Sequence, residues 1–68
     1  MKVSYDKEVD AAYIYLKYPI EKGESKKTIE LNDNIILDFD KNKKLIGMEV
    51  LNASKVLSKK ILEQPQAA

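Results

Sequence analysis

Four oxygen-bearing side chains in the second half of the chain are spaced like the ligands of a calcium loop. Asp38, Asp40 and Asn42 follow the order D-x-D-x-N, and Glu49 stands at the twelfth position of that frame, where an EF-hand has its bidentate glutamate. The sixth position should be glycine, and here it is Lys43. The flanking residues alternate like strands, and Asp and Asn also form turns. The pattern therefore favours a plain hairpin turn over a calcium site.

A wider set of carboxylates suggests a second kind of site. Carboxylate oxygens hold Mg²⁺ or Mn²⁺, and a pair of them can act as acid and base. The same residues also serve as helix caps, turn residues and cross-strand partners of lysine, so both interpretations stay open. The acidic set comprises Asp6, Glu8, Asp10, Asp38, Asp40 and Glu49, and the candidate polar site within it consists of Asp6, Asp10, Asp38 and Glu49.

Two tyrosines separated by one residue, Tyr13 and Tyr15, are predicted to lie on one face of a strand. Tyrosine rings stack on nucleic-acid bases or ligands, but they are also enriched in protein interfaces, and we favour the interface. Two apolar residues of other predicted strands are expected on the same face. The candidate interface consists of Tyr13, Tyr15, Ile36 and Leu51.

The composition excludes several classes of function. The chain has no Cys and no His, so disulfides, structural zinc, thiolate nucleophiles and imidazole bases are excluded. All twelve basic residues are lysines against eleven acids, for a net charge of +1, and this balance argues against a dedicated nucleic-acid binder. Its two lysine groups are read as solvated surface. These groups are Lys41, Lys43 and Lys44, and Lys55, Lys59 and Lys60.

No signal sequence and no apolar run of membrane-spanning length is visible, so we expect a soluble cytoplasmic protein that does not enter a membrane. We expect one domain over residues 1–64 and a tail over 65–68. A domain of 68 residues buries only about 60% of its unfolded surface, so its stability is marginal unless a disulfide, a metal or a partner subunit adds to it. With no disulfide or zinc, a partner subunit is favoured, and we expect no cofactor.

Hydrophobic alternation predicts the fold. Residues 3–5, 12–16, 28–31, 35–39 and 46–51 read as strands. They are followed by a helix that has its apolar face over residues 53–61, is capped by Asn52 or Ser54 and is ended by Pro65. Gly47, inside a strand, indicates a bulge or a close backbone approach. The expected class is α+β: an antiparallel β-meander of four to five strands with one C-terminal helix packed on one face. The apolar stripe that the helix should cover comprises Val3, Tyr5, Ile14, Leu16, Ile29, Leu31, Leu37, Phe39, Met48 and Val50.

Three segments carry a family resemblance. Tyr5-Asp6 followed by residues 10–16 resembles the opening "YD…DALYI.L" of the YuzE-like family of small bacterial and archaeal proteins, a domain of unknown function. Residues 35–40 resemble its "vivDyD", and residues 45–54 its "lvGIEil.AS". The chain departs from the family at the second hairpin, where Asn42 or Lys43 replaces a frequent glycine.

The resemblance implies a small β-rich fold with a C-terminal helix and no established activity. Some family members are associated with genes for small toxin-like ribonucleases, which suggests an antitoxin-like role. From the sequence we therefore favour a protein-interaction module, either a homodimer or a partner of another small protein, over an enzyme. The alternatives are a small carboxylate- or metal-dependent enzyme and a weak nucleic-acid binder.

Overall fold

The computed structural model describes residues 1–63, which form a five-stranded antiparallel sheet followed by two short helices. All five predicted strands are present, because their β-branched and aromatic residues alternate between two faces. The C-terminal helix predicted as one element is two. The elements are β1 (Lys2–Asp6), β2 (Ala11–Tyr15), β3 (Lys27–Glu30), β4 (Ile35–Phe39), β5 (Leu45–Leu51), α1 (Ala53–Val56) and α2 (Lys59–Leu62).

The strand order corrects the predicted meander. The order is β1-β2-β5-β4-β3, and every neighbouring pair is antiparallel. The chain leaves β2, crosses to the far edge to form β3, and returns so that β5 inserts beside β2. The central place suits β5 because Ile46 and Val50 are almost fully buried. β3 suits an edge because all four of its residues are exposed.

The core lies between the helices and one face of β1, β2 and β5. Val3 is opposite Ile14, and Ala12 is opposite Val50; with Ala53 of α1 these residues form the buried cluster. Half-buried side chains surround it. They are Tyr5, Met48, Val56, Leu57, Ile61 and Leu62.

The helices do not cover the whole predicted stripe, which is a second correction. Leu16, Ile29 and Leu31 are 46%, 40% and 60% exposed. A four-residue helix is only about 6 Å long, whereas five strands span about 19 Å. The helices therefore reach most of the β1-β2-β5 half, while the β3-β4 half of this face and Leu16, just after the end of β2, stay open.

The break between the helices lies at Leu57 and Ser58, whose backbones are extended. Neither Asn52 nor Ser54 caps α1 with its own side chain: Asn52 occupies the N-cap position in a left-handed conformation without a side-chain cap bond. The predicted helix end at Pro65 and the tail over 65–68 lie outside the described residues.

The hairpin between β4 and β5 confirms the turn interpretation of the calcium-like motif. The Asp40 Oδ1 atom accepts hydrogen bonds from the backbone N–H groups of Asn42 (2.8 Å) and Lys44 (3.0 Å). Lys43 has a φ of 65°, the left-handed region in which glycine is favoured. The same hairpin contains a bulge, because Asp38 pairs with Gly47 while Phe39 pairs with Leu45.

Candidate functional site

The candidate interface residues share the sheet face opposite the helices. Tyr13 and Tyr15 alternate along β2 with the buried Ala12 and Ile14, so they point away from the core. The register places Tyr13 opposite Glu49 of β5, and Glu49 opposite Ile36 of β4. Leu51 lies two residues beyond Glu49 on the same face, and all four candidates are half-buried.

The side chain of Tyr13 lies across β5 and reaches β4. Its hydroxyl donates a 2.6 Å hydrogen bond to Asp38 Oδ2, and the hydroxyl of Thr28 donates a 2.8 Å bond to Asp38 Oδ1. A Cβ atom on Gly47 would lie 2.7 Å from two ring carbons of Tyr13. The glycine inside β5 therefore provides the space for the ring, so the close approach at this position comes from a side chain and not from another backbone.

Burial of Tyr13, reinforced by its hydrogen bond to the Asp38 carboxylate, raises the pKa of this phenol far above its ordinary value of 10.0. The phenol stays neutral, and it acts as a hydrogen-bond donor at physiological pH. The contact fixes the position of the ring instead of preparing a proton for transfer.

A row of aromatic rings continues from Tyr13 to the edge of the sheet. The ring centroids of Tyr13 and Tyr15 are 4.7 Å apart, and those of Tyr15 and Tyr18 are 5.2 Å apart in an edge-to-face arrangement. The Lys2 ammonium lies 4.2 Å from the centroid of the Tyr18 ring, within the range of a cation–π contact. We call the surface formed by Tyr13, Tyr15, Tyr18, Ile36 and Leu51 the tyrosine face.

Sequence reasoning missed Tyr18 and Lys2. Tyr18 follows the end of β2, where strand alternation no longer predicts a direction, and it is 55% exposed. The spacing Tyr-x-Tyr-x-x-Tyr was the available signal. Lys2 reaches the cluster because β1 pairs with β2, and Lys2 is opposite Tyr15 in that pairing.

Asp10, a member of the candidate polar site, connects the turn between β1 and β2 to the start of α1. Its Oδ1 atom accepts hydrogen bonds from the Tyr5 hydroxyl (2.6 Å) and the Ser54 backbone N–H (3.0 Å). Its Oδ2 atom accepts one from the Ser54 hydroxyl (2.7 Å), and its backbone carbonyl accepts one from Ala53 N–H (2.9 Å). Asp10 therefore caps α1 from a distant part of the chain.

The Asp10 contacts also shift its titration. The hydrogen bond from Tyr5, followed by those from Ser54, lowers the pKa of the Asp10 carboxyl below 3.8. The same hydrogen bond raises the pKa of the Tyr5 phenol above 10.0. Both shifts follow from a carboxylate that accepts bonds from neutral donors, so this trio has a structural explanation.

The structure separates the four residues of the candidate polar site into two pairs at different places in the fold. Asp6 and Asp10 flank the turn between β1 and β2, where the Asp6 Oδ1 atom accepts a bond from Glu8 N–H (3.0 Å). Asp38 and Glu49 are diagonal neighbours on the face opposite the helices, because Asp38 pairs with Gly47 and Glu49 with Ile36. Within residues 1–63, no three Asp or Glu side chains are grouped so as to hold a metal ion.

A depression of about 160 Å³ lies on the open β3-β4 half of the helix side. Ile29 and Phe39 form its apolar walls, and Lys27, Asp40 and Lys43 line its rim. Asp40 is already engaged in the hairpin. The remaining polar lining consists of two lysines on flexible stems, and these do not fix a ligand in one orientation.

Comparison with known proteins finds one relative and one family model. An uncharacterised protein of Methanocaldococcus jannaschii, MJ0789, is 43% identical over 58 residues, which are 85% of this chain and 46% of that protein. The chain therefore spans less than half the length of this relative. No solved structure matches. Neither helix in the described part of the chain is long and apolar enough to cross a membrane.

The model of a family described as "Protein of unknown function (DUF2283)" matches residues 2–54. These residues include all five strands and the Asp10–Ser54 cap. The chain belongs to this family of proteins of unknown function.

Proposed function

We propose that this domain is a protein-interaction module and that the tyrosine face is its binding surface. The observation that carries this proposal is that the helices cover only one of the two faces of the sheet. Both helices pack on one face, while the opposite face carries a contiguous row of Tyr13, Tyr15 and Tyr18. Tyrosines provide large, stiff contact areas with a polar end, which is why protein interfaces are enriched in them.

The tyrosine face is organised before any partner binds. Tyr13 is held by Asp38 and by the space over Gly47, and Tyr15 packs between Tyr13 and Tyr18. Side chains that are already ordered lose less entropy on binding. A surface of this kind favours a protein partner with an apolar or aromatic patch, either a second copy of this chain or another small protein.

The finer assignments from the sequence belong to the same proposal. They are membership of the YuzE-like family, one domain over residues 1–64, an antitoxin-like role and a cytoplasmic location. The carboxylate-enzyme alternative requires the four residues of the candidate polar site to lie close together. One of them, Asp10, already uses both carboxylate oxygens in hydrogen bonds that stabilise the fold. The nucleic-acid alternative rests on Lys2 beside Tyr15 and Tyr18, without an excess of positive charge.

The test compares a variant of the tyrosine face with a control variant elsewhere on the surface. Tyr15→Ser removes the central ring of the tyrosine face, whereas Val9→Ser removes an apolar side chain that is 67% exposed in the turn between β1 and β2. Each protein, expressed at its natural level with an affinity tag, is captured, and the stoichiometry of bound protein is measured by native mass spectrometry. Circular dichroism verifies that both variants are folded.

We expect a stoichiometric complex through the tyrosine face, with a second copy or another protein, for the wild type and Val9→Ser, and a smaller assembly that lacks this partner for Tyr15→Ser. Binding that is unchanged in Tyr15→Ser would contradict the proposal. So would a wild-type protein recovered as a free monomer.

A further inference from the structure

The edge strand β3 presents backbone hydrogen-bonding groups along its open side. The Leu31 N–H donates a 2.8 Å bond to the Ile35 carbonyl, and Glu30 is paired with Ile36. Because hydrogen-bonded and non-hydrogen-bonded pairs alternate in an antiparallel ladder, Ile29 faces β4 and the backbone groups of Thr28 and Glu30 face outward. These outward groups are a template for another strand.

The order of charges along this edge is self-complementary. Lys26 and Lys27 lie at its beginning, and Glu30 and Asp33 lie at or beyond its end. In an antiparallel arrangement of two such strands, the positive half of one copy lies beside the negative half of the other. A parallel arrangement would place like charges side by side, which is unfavourable across strands.

The two edges of the sheet differ. β1 is flanked on its core side by α2, and the Tyr5 side chain of β1 is bonded to Asp10. All four residues of β3 are exposed, and its Ile29 and the following Leu31 are large apolar side chains that are 40% and 60% exposed. A strand laid along β3 would remove part of this apolar surface from water.

We propose that a second copy of this chain pairs with β3 in an antiparallel manner, about a two-fold axis at Thr28. The Lys26 N–H is already bonded to the Phe39 carbonyl within its own sheet (2.8 Å), so Lys26 of one copy and Glu30 of the other meet through their side-chain charges, and the two sheets join into one of ten strands. The tyrosine faces of both copies lie on the same side of that sheet, because opposite residues in a ladder share a face. This pairing involves no residue of the tyrosine face, so it is independent of the proposed function.

Charge reversal tests the pairing through complementation. Lys26→Glu alone and Glu30→Lys alone each place like charges opposite one another in a homodimer. An equimolar mixture of the two variants restores opposite charges at both positions in a heterodimer. Lys22→Glu, an exposed charge reversal in the loop before β3, is the matched control.

Light scattering is measured from about 10 µM to 1 mM, a range that includes weak dimers. We expect the wild type and Lys22→Glu to approach twice the 7.8 kDa mass of the chain. Each β3 variant should dissociate at least about tenfold more readily, because two attractive pairs become repulsive, and the mixture should dimerise again.

A second variant tests the backbone contact. Thr28→Pro removes an N–H that faces outward together with the hydroxyl bond to Asp38, and proline is tolerated at such edge positions, so a folded monomer is expected. Thr28→Val, which removes only the hydroxyl, is its control and should remain dimeric. A wild type that is monomeric up to 1 mM would overturn the pairing, as would a mixture that fails to dimerise. A dimer lost in Tyr15→Ser but kept in Lys26→Glu would assign the contact to the tyrosine face instead.

Discussion

Gly47→Ala tests how the tyrosine face is built. The added methyl group would lie 2.7 Å from two ring carbons of Tyr13, so the ring must move and its 2.6 Å bond to Asp38 is lost. A hydrogen bond to a charged group contributes about 1.5–3 kcal/mol. Alanine itself is favoured over glycine in a strand by about 0.5–1 kcal/mol, so we expect a net loss of about 1–2 kcal/mol in the free energy of unfolding.

The same substitution should change sign when the ring is absent. In a Tyr13→Ala background nothing from Tyr13 occupies the space over residue 47, and Gly47→Ala should then stabilise the domain by about 0.5–1 kcal/mol. Urea unfolding followed by circular dichroism measures the four proteins of this double-mutant cycle. An equal loss in both backgrounds would refute the proposed contact, because the cost of the methyl group would then not depend on Tyr13.

Three further predictions concern the turns and the titrating groups. Lys43→Gly should raise the free energy of unfolding by up to about 1 kcal/mol, because Lys43 has a positive φ. Lys41→Gly, in the same turn but without a positive φ, should not raise it. Urea unfolding measures both variants. The folded-state pKa of Asp10 is lowered from 3.8, so the contribution of this carboxylate to the free energy of unfolding is present above pH 4 and is lost as the pH falls through the lowered value. Asp10→Asn should therefore lose less stability on acidification than the wild type. An unchanged dependence of stability on acid pH would contradict this. The pKa of Tyr13 is raised from 10.0, so the contribution of its neutral phenol to the free energy of unfolding is present below pH 10 and is lost as the pH rises towards the raised value. Phenolate absorbance of the folded protein should therefore rise at higher pH than that of the urea-unfolded protein, and Tyr13→Phe should narrow the difference.

Much of the fold follows from local patterns. Alternation along residues 12–16 and 35–39 assigned each side chain to a face, which is why Tyr13, Tyr15 and Ile36 were correctly placed together. The residue type of Gly47 indicates a position in the strand that another group approaches closely. The residue type of Asp40 indicates a turn. The face of each side chain and the turn at Asp40 depend on neighbours in sequence, which alternation and turn chemistry report directly. That the ring of Tyr13 is the group over Gly47 depends on the pairing of β2 with β5, which local patterns do not report.

The remaining features depend on contacts between distant residues. Alternation does not say which strands are adjacent, and β5 lies beside β2 because its burial suits the centre of the sheet. Asp10 and Ser54 are 44 residues apart, so no local spacing predicts that one caps the helix of the other. The helix break at Leu57 was missed because the apolar spacing of residues 53–61 continues across it.

Chemical labelling of the phenols tests the binding role of the tyrosine face most directly. Tyr15 and Tyr18 belong to this face, whereas Tyr5, bonded to Asp10 on the helix side, serves as an internal reference. Labelling of each tyrosine is measured by mass spectrometry in the free domain and in the captured complex. We predict that Tyr15 and Tyr18 become protected in the complex while labelling of Tyr5 stays unchanged. Equal labelling of Tyr15 and Tyr18 in both states would contradict the proposal that this face binds the partner.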